Sequence, residues 1–442
     1  MSNVLSNNEY IIHIDGDNFF VSCELVRLPH LRNVPVVVGR ERGIAVAMNT
    51  PAKSIGLTRA MPIHEIRKNF PQVVTLNSHF ELYKSFSKGM VDIISKYVVQ
   101  LEVYSIDEVF CLYKDKAKSK NDLLGRVSGD VQTDTLNEIK NIQREIYDTL
   151  GITVSCGIAK TKVLAKLATS VQKPEGATLI DETNRLDILK NTPIEDVWGI
   201  GGRTAGKWQA RGIVSAYDLS MLPESVIIVE NAPVRDLYYE LKGISRLPQI
   251  GAKNEASQKS FQSTESFPKT NEQAFLFSEI SRHTEVLCAR IGACRARTDS
   301  ISFYLKDTSG TYHSADIHLT NHTQNPSIIL NQIQMSFETL YSSNIFYKST
   351  GVTFVKVTSI NSTSSNIQKS LFSELLVEEK ESTLNTSLET IKGSISSKFG
   401  PRGLYVGSSA ISKARKTTKS KEQQKSDNYI YGLPLIYLGE AR

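Results

Sequence analysis

The 442-residue sequence predicts an α+β fold that is divided into several domains. A chain of this length is too long for one ordinary hydrophobic core, so two to four domains are expected. Strand-like and helix-like patterns alternate up to about residue 181 and again in residues 257–360. The residues between them contain short helical patterns around a glycine turn, which indicates a mainly helical region between two mixed ones.

The first mixed region opens with an apolar strand at residues 10–14, which is broken by an Asp-Gly-Asp turn. Further apolar or β-branched stretches predict strands at 34–39, 43–49, 103–112 and 152–159. Helical patterns occur at 78–98, 135–151 and 161–176, and Gly151 lies where helices commonly end. The order of these elements predicts an α+β domain.

The second mixed region begins with KSFQSTESF and ends with GVTFVKV, and it contains a long helical pattern at 272–291. The polar stretch TSINSTSSN that follows reads as a linker. The basic run SKARKTTKSKEQQK lies further on, and it is interpreted either as a DNA contact or as a solvated loop.

The composition is that of an ordinary globular protein, with 40% hydrophobic and 22% charged residues and a net charge of +6. Such mild basicity permits a polyanionic partner without requiring one. The five cysteines form no CxxC pair and predict buried thiols in a reducing compartment. There is no signal-peptide pattern and no apolar run of about 18 residues, so we expect a cytoplasmic protein without a membrane partner.

Three carboxylates occupy unusual positions in these patterns. Asp15 ends the first strand, and Asp107 and Glu108 interrupt the apolar stretch VYSIDEVFCL. Neighbours on an ideal strand point to opposite faces, so both acids face one site only where the strand turns or bulges. Gathered carboxylates repel unless cations neutralise them, and oxygen ligands favour Mg²⁺ over zinc. The alternative interpretation is that these acids are ordinary turn or surface residues.

HIDGDNFF, YSIDE and GIAKTKVLAKLATSVQKP follow one another in this order along the chain. At this spacing the sequence resembles the Y-family of translesion DNA polymerases, and within it the bacterial UmuC group, the catalytic subunit of DNA polymerase V. The resemblance implies a right-hand fold and a C-terminal tail. The implied domains are a palm (9–18 and 85–181), fingers (19–84), a helical thumb with a helix-hairpin-helix (182–246), a little finger (257–360), and a region with linker, clamp-binding peptide and UmuC-type C-terminus (361–442).

The resemblance also implies two Mg²⁺ ions, held by Asp15, the backbone carbonyl of Gly16, Asp107 and Glu108. Asp17 lies beside these residues and is not expected to be a ligand. The implied nucleotide-binding residues are Phe19, Phe20, Thr50, Lys53 and Lys173, with Phe20 as a steric gate against a 2′-hydroxyl. In the family a Tyr and an Arg contact the phosphates where this chain has Thr50 and Lys53, so a point charge replaces a bidentate group.

The DNA contacts that the resemblance implies are Gly199 and Gly201 of the helix-hairpin-helix, and Arg290, Arg295 and Arg297 of the little finger. IQKSLF resembles a peptide that binds the sliding clamp, with Gln368, Leu371 and Phe372 as its contacts. The expected partners are therefore primer-template DNA, a deoxynucleotide, the clamp, a UmuD-type subunit and a recombinase filament.

These features predict an error-prone, Mg²⁺-dependent translesion DNA polymerase that acts in SOS mutagenesis. One alternative is a non-catalytic scaffold that binds DNA and clamp, and another is a two-metal nuclease. The intact acids and Phe20 favour the polymerase over the scaffold, and the phosphate-binding lysines favour it over the nuclease. Growth, persistence or shortening of a primer distinguishes the three.

Overall fold

The structure is a computed structural model, and it describes residues 9–114, 131–251, 260–359, 429–430 and 433–434. The chain divides into two compact units, Met1–Lys253 and Asn254–Arg442. Strands and helices alternate in both units, which confirms the predicted α+β class. No helix of the described ranges is long and apolar enough to span a bilayer.

The first unit contains most of the predicted elements. Its strands are β1 (Glu9–Gly16), β2 (Val36–Val38), β3 (Ala47–Met48), β4 (Val74–Leu76), β5 (Gln100–Val103), β6 (Glu108–Lys114), β7 (Val154–Ala159) and β8 (Ala177–Leu179). Its α-helices are α1 (Phe19–Arg27), α2 (Thr50–Ser54), α3 (Ile63–Asn69), α4 (Phe80–Ile94), α5 (Val131–Leu150), α6 (Lys162–Val171), α7 (Arg185–Lys190), α8 (Gly202–Gln209), α9 (Ala216–Ser220), α10 (Glu224–Ile227) and α11 (Ala232–Leu241). Short 3₁₀ turns occur at Pro29–Leu31, Arg40–Arg42 and Ile194–Asp196.

A five-stranded sheet with the order β5-β6-β1-β7-β8 forms the centre of this unit. β1 pairs antiparallel with β6 on one side and with β7 on the other. Because side chains alternate along a strand, Ile12 and Ile14 of β1 enter one buried cluster, whereas Ile11 enters another. The sheet is thus covered on both faces, and β1 is its central strand.

Helix α6 lies directly against the central sheet. A Cβ atom on Gly157 of β7 would lie 2.0 Å from the carbonyl oxygen of Ala165, so only glycine permits this approach. The Thr161 hydroxyl accepts a hydrogen bond from the backbone N–H of Leu164 and caps the helix. The position of α6 matters for the site because this helix and the turn after it carry three lysines.

A smaller sheet with the order β3-β2-β4 builds the region after α1. Asn49 fixes helix α2 to it, because its side-chain oxygen accepts hydrogen bonds from the backbone N–H groups of Ala52 and Val36. Its amide nitrogen donates to the carbonyl of Val34. This anchor determines where the residues of α2 lie relative to the sheet.

The second unit pairs four long antiparallel strands with two helices. They are β9 (Phe261–Thr270), α12 (Gln273–Ala293), β10 (Ala296–Asp307), β11 (Tyr312–Thr323), α13 (Pro326–Leu340) and β12 (Tyr347–Ser359), and the strand order is β11-β10-β12-β9. Apolar residues of both helices and all four strands share one buried cluster. The two-residue strands β13 (Tyr429–Ile430) and β14 (Leu433–Pro434) pair with each other.

The cysteine prediction is correct for four residues and wrong for one. Cys23, Cys111, Cys156 and Cys288 are buried and free, whereas Cys294 is exposed. Cys294 follows the last turn of α12, where the chain leaves the core to enter β10. The predicted linker, the peptide IQKSLF and the basic run lie outside the described residues.

Candidate active site

The register of β1 and β6 brings the predicted carboxylates to one edge of the central sheet. Asp15 lies opposite Glu108 in this antiparallel pair. The backbone N–H of Gly16 donates to the carbonyl of Asp107 at 3.0 Å. The end of β1 and the start of β6 therefore lie side by side, which brings together residues that are far apart in the sequence.

The prediction of one continuous strand over 103–112 is wrong. β5 ends at Val103 and β6 begins at Glu108, and the two strands form an antiparallel hairpin. The hydroxyl of Ser105 donates to the carboxylate of Asp107 at 2.6 Å, a local bond that favours a turn over a strand. Because the chain turns here, Asp107 lies outside the strand and is not bound by its alternation, whereas Glu108 is the first residue of β6.

Each of the three carboxylates has a different close partner. The ammonium of Lys173 lies 2.5 Å from Asp15 Oδ2, and that of Lys166 lies 2.6 Å from Glu108 Oε1. Asp107 is held by Ser105 instead. Both lysines come from α6 or the turn that follows it, so the closeness of that helix to the sheet supplies the positive charge.

The electrostatics of Asp15 show that these lysines do not fully balance the site. Burial raises the pKa of its carboxyl to about 6, and the charges of Glu108 and Asp107 act in the same direction. Lys173 lowers this pKa through its charge and its hydrogen bond, but burial is the stronger effect. The site therefore favours additional positive charge.

The donor set suits a hard divalent cation, since it consists of carboxylate oxygens. Within the described ranges no three acidic, histidine or cysteine side chains converge as a ready-made metal cage. The partners explain this finding, because the side chains of Asp15 and Glu108 turn toward lysines and that of Asp107 toward Ser105. The lysine ammoniums occupy oxygens that a metal ion would need.

Asp17 is buried, and both of its carboxylate oxygens accept hydrogen bonds within the chain. One of its carboxylate oxygens accepts from the Ser155 hydroxyl at 2.6 Å and the other from the Glu175 backbone N–H at 2.9 Å. The residue is 4% exposed. It ties the end of β1 to β7 and to the turn that carries Lys173.

The two phenylalanines that follow β1 have different environments. Phe19 is buried in the core, whereas Phe20 is half-buried and its ring stacks on Tyr83 with 4.4 Å between centroids. Gly16 allows the tight turn into α1, since a Cβ there would lie 2.7 Å from the ring of Phe19. Of the two rings, only that of Phe20 is therefore partly exposed.

Thr50 and Lys53 lie on α2 and are exposed. The Lys53 ammonium donates to the side-chain oxygen of Asn18 at 2.5 Å, so it lies beside the end of β1. Partial burial lowers its pKa, and the like charges of Arg59 and Lys173 lower it further. Lys53 and Arg59 thus add positive charge near the end of β1, and Arg59 is a cation that the sequence analysis missed.

The predicted helix-hairpin-helix has an open glycine turn before α8. Gly199 has a φ of +93°, which is in the region that favours glycine. Nothing lies within 4 Å of a Cβ atom placed on Gly201, the residue before the helix. Gly201 and Gly202, at the start of α8, are accordingly exposed.

The predicted basic residues of the second unit are exposed. Arg290 lies near the end of α12, Arg295 in the turn after it and Arg297 on β10. The guanidinium of Arg290 also donates to the carbonyl of Gln262 and lies over the ring of Phe261. The clamp contacts Gln368, Leu371 and Phe372 lie outside the described residues.

Sequence reasoning missed Lys166, Tyr104 and Trp198. The Lys166 ammonium lies 5.2 Å from the ring centroid of Tyr104 and 5.9 Å from that of Trp198. The indole N–H of Trp198 donates to the Tyr104 hydroxyl at 3.1 Å. The spacing of Lys162 and Lys166 on one helical face was a usable signal, but the distant aromatic partners left none.

Several known proteins are similar to this chain in sequence. The impB/mucB/samB family matches residues 14–170. A DNA polymerase IV of Streptococcus agalactiae is 30% identical over 351 residues, which are 78% of this chain and 92% of that protein. A DNA polymerase IV of Ureaplasma parvum is 27% identical over 376 residues, which are 83% of this chain and 98% of that one.

Two solved structures have a similar fold. A Y-family DNA polymerase chimera, Dbh-Dpo4(243-245)-Dbh, has a TM-score of 0.63 at 20% identity, and the match covers 79% of this chain and 99% of that one. An insertion ternary complex of Dbh DNA polymerase covers the same shares at a TM-score of 0.50. The first likeness confirms the predicted Y-family architecture at the level of the fold.

The fold and the carboxylate edge define a metal-dependent, DNA-directed DNA polymerase, which is a nucleotidyltransferase. The chain belongs to the Y-family of DNA polymerases, the class that performs translesion synthesis. The curated relatives named above are DNA polymerase IV proteins, so they support the family rather than the UmuC group.

Proposed function

We propose that this polymerase is error-prone and acts in DNA damage tolerance and SOS mutagenesis. The observation that carries the proposal is the register that sets Asp15 opposite Glu108, with Asp107 in the adjoining turn. The half-buried ring of Phe20 stands one short turn away from this edge. Carboxylates beside an aromatic plate suit a site for a metal-bound deoxynucleotide.

Two Mg²⁺ ions would be held by Asp15, Asp107, Glu108 and the carbonyl of Gly16. When bound, they lower the pKa of the primer 3′-hydroxyl and neutralise the leaving pyrophosphate. Lys173 would then exchange its bond to Asp15 for one to the triphosphate. The raised pKa of Asp15 supports the uptake of cations at this edge, because the carboxylates remain short of positive charge even with Lys173 in place.

The remaining site residues would hold nucleotide and DNA. Thr50 and Lys53 would contact the triphosphate, Phe19 would support the pocket, and the ring of Phe20 would exclude a 2′-hydroxyl. The predicted DNA contacts are Gly199, Gly201, Arg290, Arg295 and Arg297, and their exposure supports this role. All of them address the sugar-phosphate backbone, so binding would be independent of sequence.

We further propose the UmuC type, with a sliding clamp, a UmuD-type subunit and a recombinase filament as partners, and a cytoplasmic location. Gln368, Leu371 and Phe372 would bind the clamp. About a fifth of this chain aligns with no part of the Streptococcus agalactiae relative, which supports an additional segment beyond a DNA polymerase IV. The predicted palm, fingers, thumb and little finger remain our proposal for the domains.

Primer extension on a template with an abasic site tests the proposal. The wild type should extend past the lesion with Mg²⁺, Asp107→Ala should not, and Phe20→Ala should accept ribonucleotides. Asp148→Ala, which removes an exposed carboxylate of α5, is the matched control and should behave as the wild type.

A wild type that is silent alone is assayed again with clamp, recombinase filament and UmuD-type subunit. Continued silence while DNA binding persists would overturn the proposal in favour of a scaffold. Shortening of the primer would instead indicate a nuclease. Bypass that needs no UmuD-type subunit and is unaffected by it would contradict the UmuC type while leaving the polymerase assignment intact.

A further inference from the structure

The ring of Phe20 stacks on a second aromatic ring, that of Tyr83. Phe20 and Tyr83 are nearly parallel, with an angle of 12° and 4.4 Å between centroids. The ring of Phe80 meets both of them edge-on, at centroid distances of 5.6 Å. Aromatic stacking is weak by itself and allows a ring to slide, so the stack alone does not fix the angle of Phe20.

The far end of Tyr83 is held by a buried carboxylate. Its hydroxyl donates to Glu24 Oε1 at 2.6 Å, and His79 Nδ1 lies 2.8 Å from the same oxygen. Tyr83 is 0% exposed and Glu24 is 1% exposed. Burial and the Glu24 charge raise the pKa of Tyr83, so the phenol stays protonated and keeps its role as donor.

The two contacts of Tyr83 lie on the same helix. Phe20 and Glu24 are four residues apart on α1 and therefore share one face. Tyr83 belongs to α4, so its ring is held against α1 at two points, by stacking at one end and by a hydrogen bond at the other. The hydrogen bond therefore limits the sliding of the Tyr83 ring that stacking alone would allow.

We infer that Tyr83 and Glu24 are positioning residues for sugar selection, which hold the ring of Phe20 at the angle that excludes a 2′-hydroxyl. This inference rests on the proposed role of Phe20 as the steric gate. Neither residue needs to touch the nucleotide, because both act through Phe20. A hydrogen bond to a carboxylate is stronger than one between neutral groups, so it holds the Tyr83 side chain firmly.

The test measures kcat/KM for dATP and for ATP opposite template thymine, and the selectivity is their ratio. Tyr83→Phe retains the stacked ring and removes only the hydroxyl, and it should lower the selectivity about five- to tenfold. Glu24→Ala should do the same, whereas Glu24→Gln retains an acceptor and should keep most of the selectivity. Tyr113→Phe, which removes another buried hydroxyl bonded to a glutamate, Glu138, should leave the ratio unchanged.

The double variant Phe20→Ala/Tyr83→Phe separates an indirect role from direct contact. If Tyr83 acts through Phe20, its change has no further effect once the ring of Phe20 is gone. Equal losses for both nucleotides in Tyr83→Phe, or an unchanged ratio, would overturn the inference while the gate stands. An unchanged ratio in Phe20→Ala itself would overturn the gate assignment, and with it this inference.

Discussion

Asp15 and Glu108 lie opposite each other across the β1–β6 pair, yet each carboxylate meets a lysine. Lys173 and Lys166, which supply these ammoniums, belong to α6 and the turn after it. The carboxylates are therefore neutralised in part by groups of the chain itself. The proposed Mg²⁺ ions would compete with these ammoniums, and this competition makes several measurable effects predictable.

Replacement of Asp15 by Asn should stabilise the metal-free protein above neutral pH. The pKa of this carboxyl rises from 3.8 to about 6 on folding, so its ionised form destabilises the native state. The stability that the protonated form confers is lost as the pH rises through about 6. We expect the free energy of unfolding of the variant to exceed that of the wild type by about 1–3 kcal/mol at pH 8. This difference should decrease toward pH 4.

Urea unfolding in EDTA from pH 4 to pH 8 measures this gain. Asp187→Asn, which changes an exposed acid of α7, is the control and should show no such trend. With Mg²⁺ added, the advantage of Asp15→Asn should disappear because the ions stabilise the wild type. A variant less stable than the wild type at pH 8 in EDTA would contradict the prediction.

Lys166→Met should destabilise the protein more in EDTA than in Mg²⁺. The side chains of Lys166 and Glu108 are 21% and 17% exposed, so removal of the ammonium leaves a largely buried carboxylate unpaired. The expected loss is about 1–3 kcal/mol without metal. Thermal unfolding in both conditions checks it, and Lys190→Met, from an exposed pair, should change little in either.

Gly157→Ala should destabilise the central sheet by about 3 kcal/mol or more, because the new methyl group would collide with the backbone of α6. Gly206→Ala is the matched opposite. Gly206 lies inside α8 with nothing within 4 Å of an added Cβ, so alanine should stabilise the protein by about 1 kcal/mol. Chemical denaturation of both variants tests the pair, and equal effects would refute the close helix–sheet approach.

Loss of charge at Arg295 and Arg297 should weaken DNA binding and its dependence on salt. If each guanidinium contacts one phosphate, each change to Gln should reduce the slope of log K against log salt by about 1. Fluorescence anisotropy with duplex DNA at several salt concentrations measures the slope. Lys88→Gln, which alters an exposed cation on α4, serves as the control. An unaltered slope in the arginine variants would show that neither residue contacts a DNA phosphate.

Local patterns predicted most elements of this fold. The strands around β1 and β7 and the helices α4, α5, α6 and α12 follow from apolar periodicity and from helix-end residues such as Gly151. The turn at 104–107 did not follow from the local pattern, because Tyr104 and Ile106 favour a strand while the bond between Ser105 and Asp107 favours a turn. A hydrogen bond between the side chains of residues two apart outweighed strand propensity there.

The sequence by itself determined which acids, aromatic residues and lysines the site contains, because motif spacing preserves residue type and order. Only the tertiary structure decided which of them meet. The antiparallel register set Asp15 against Glu108, the approach of α6 assigned Lys166 to Glu108, and the packing of α4 on α1 put Tyr83 beneath Phe20. Such contacts join segments far apart along the chain, and they depend on sheet register and helix packing, which no local pattern encodes.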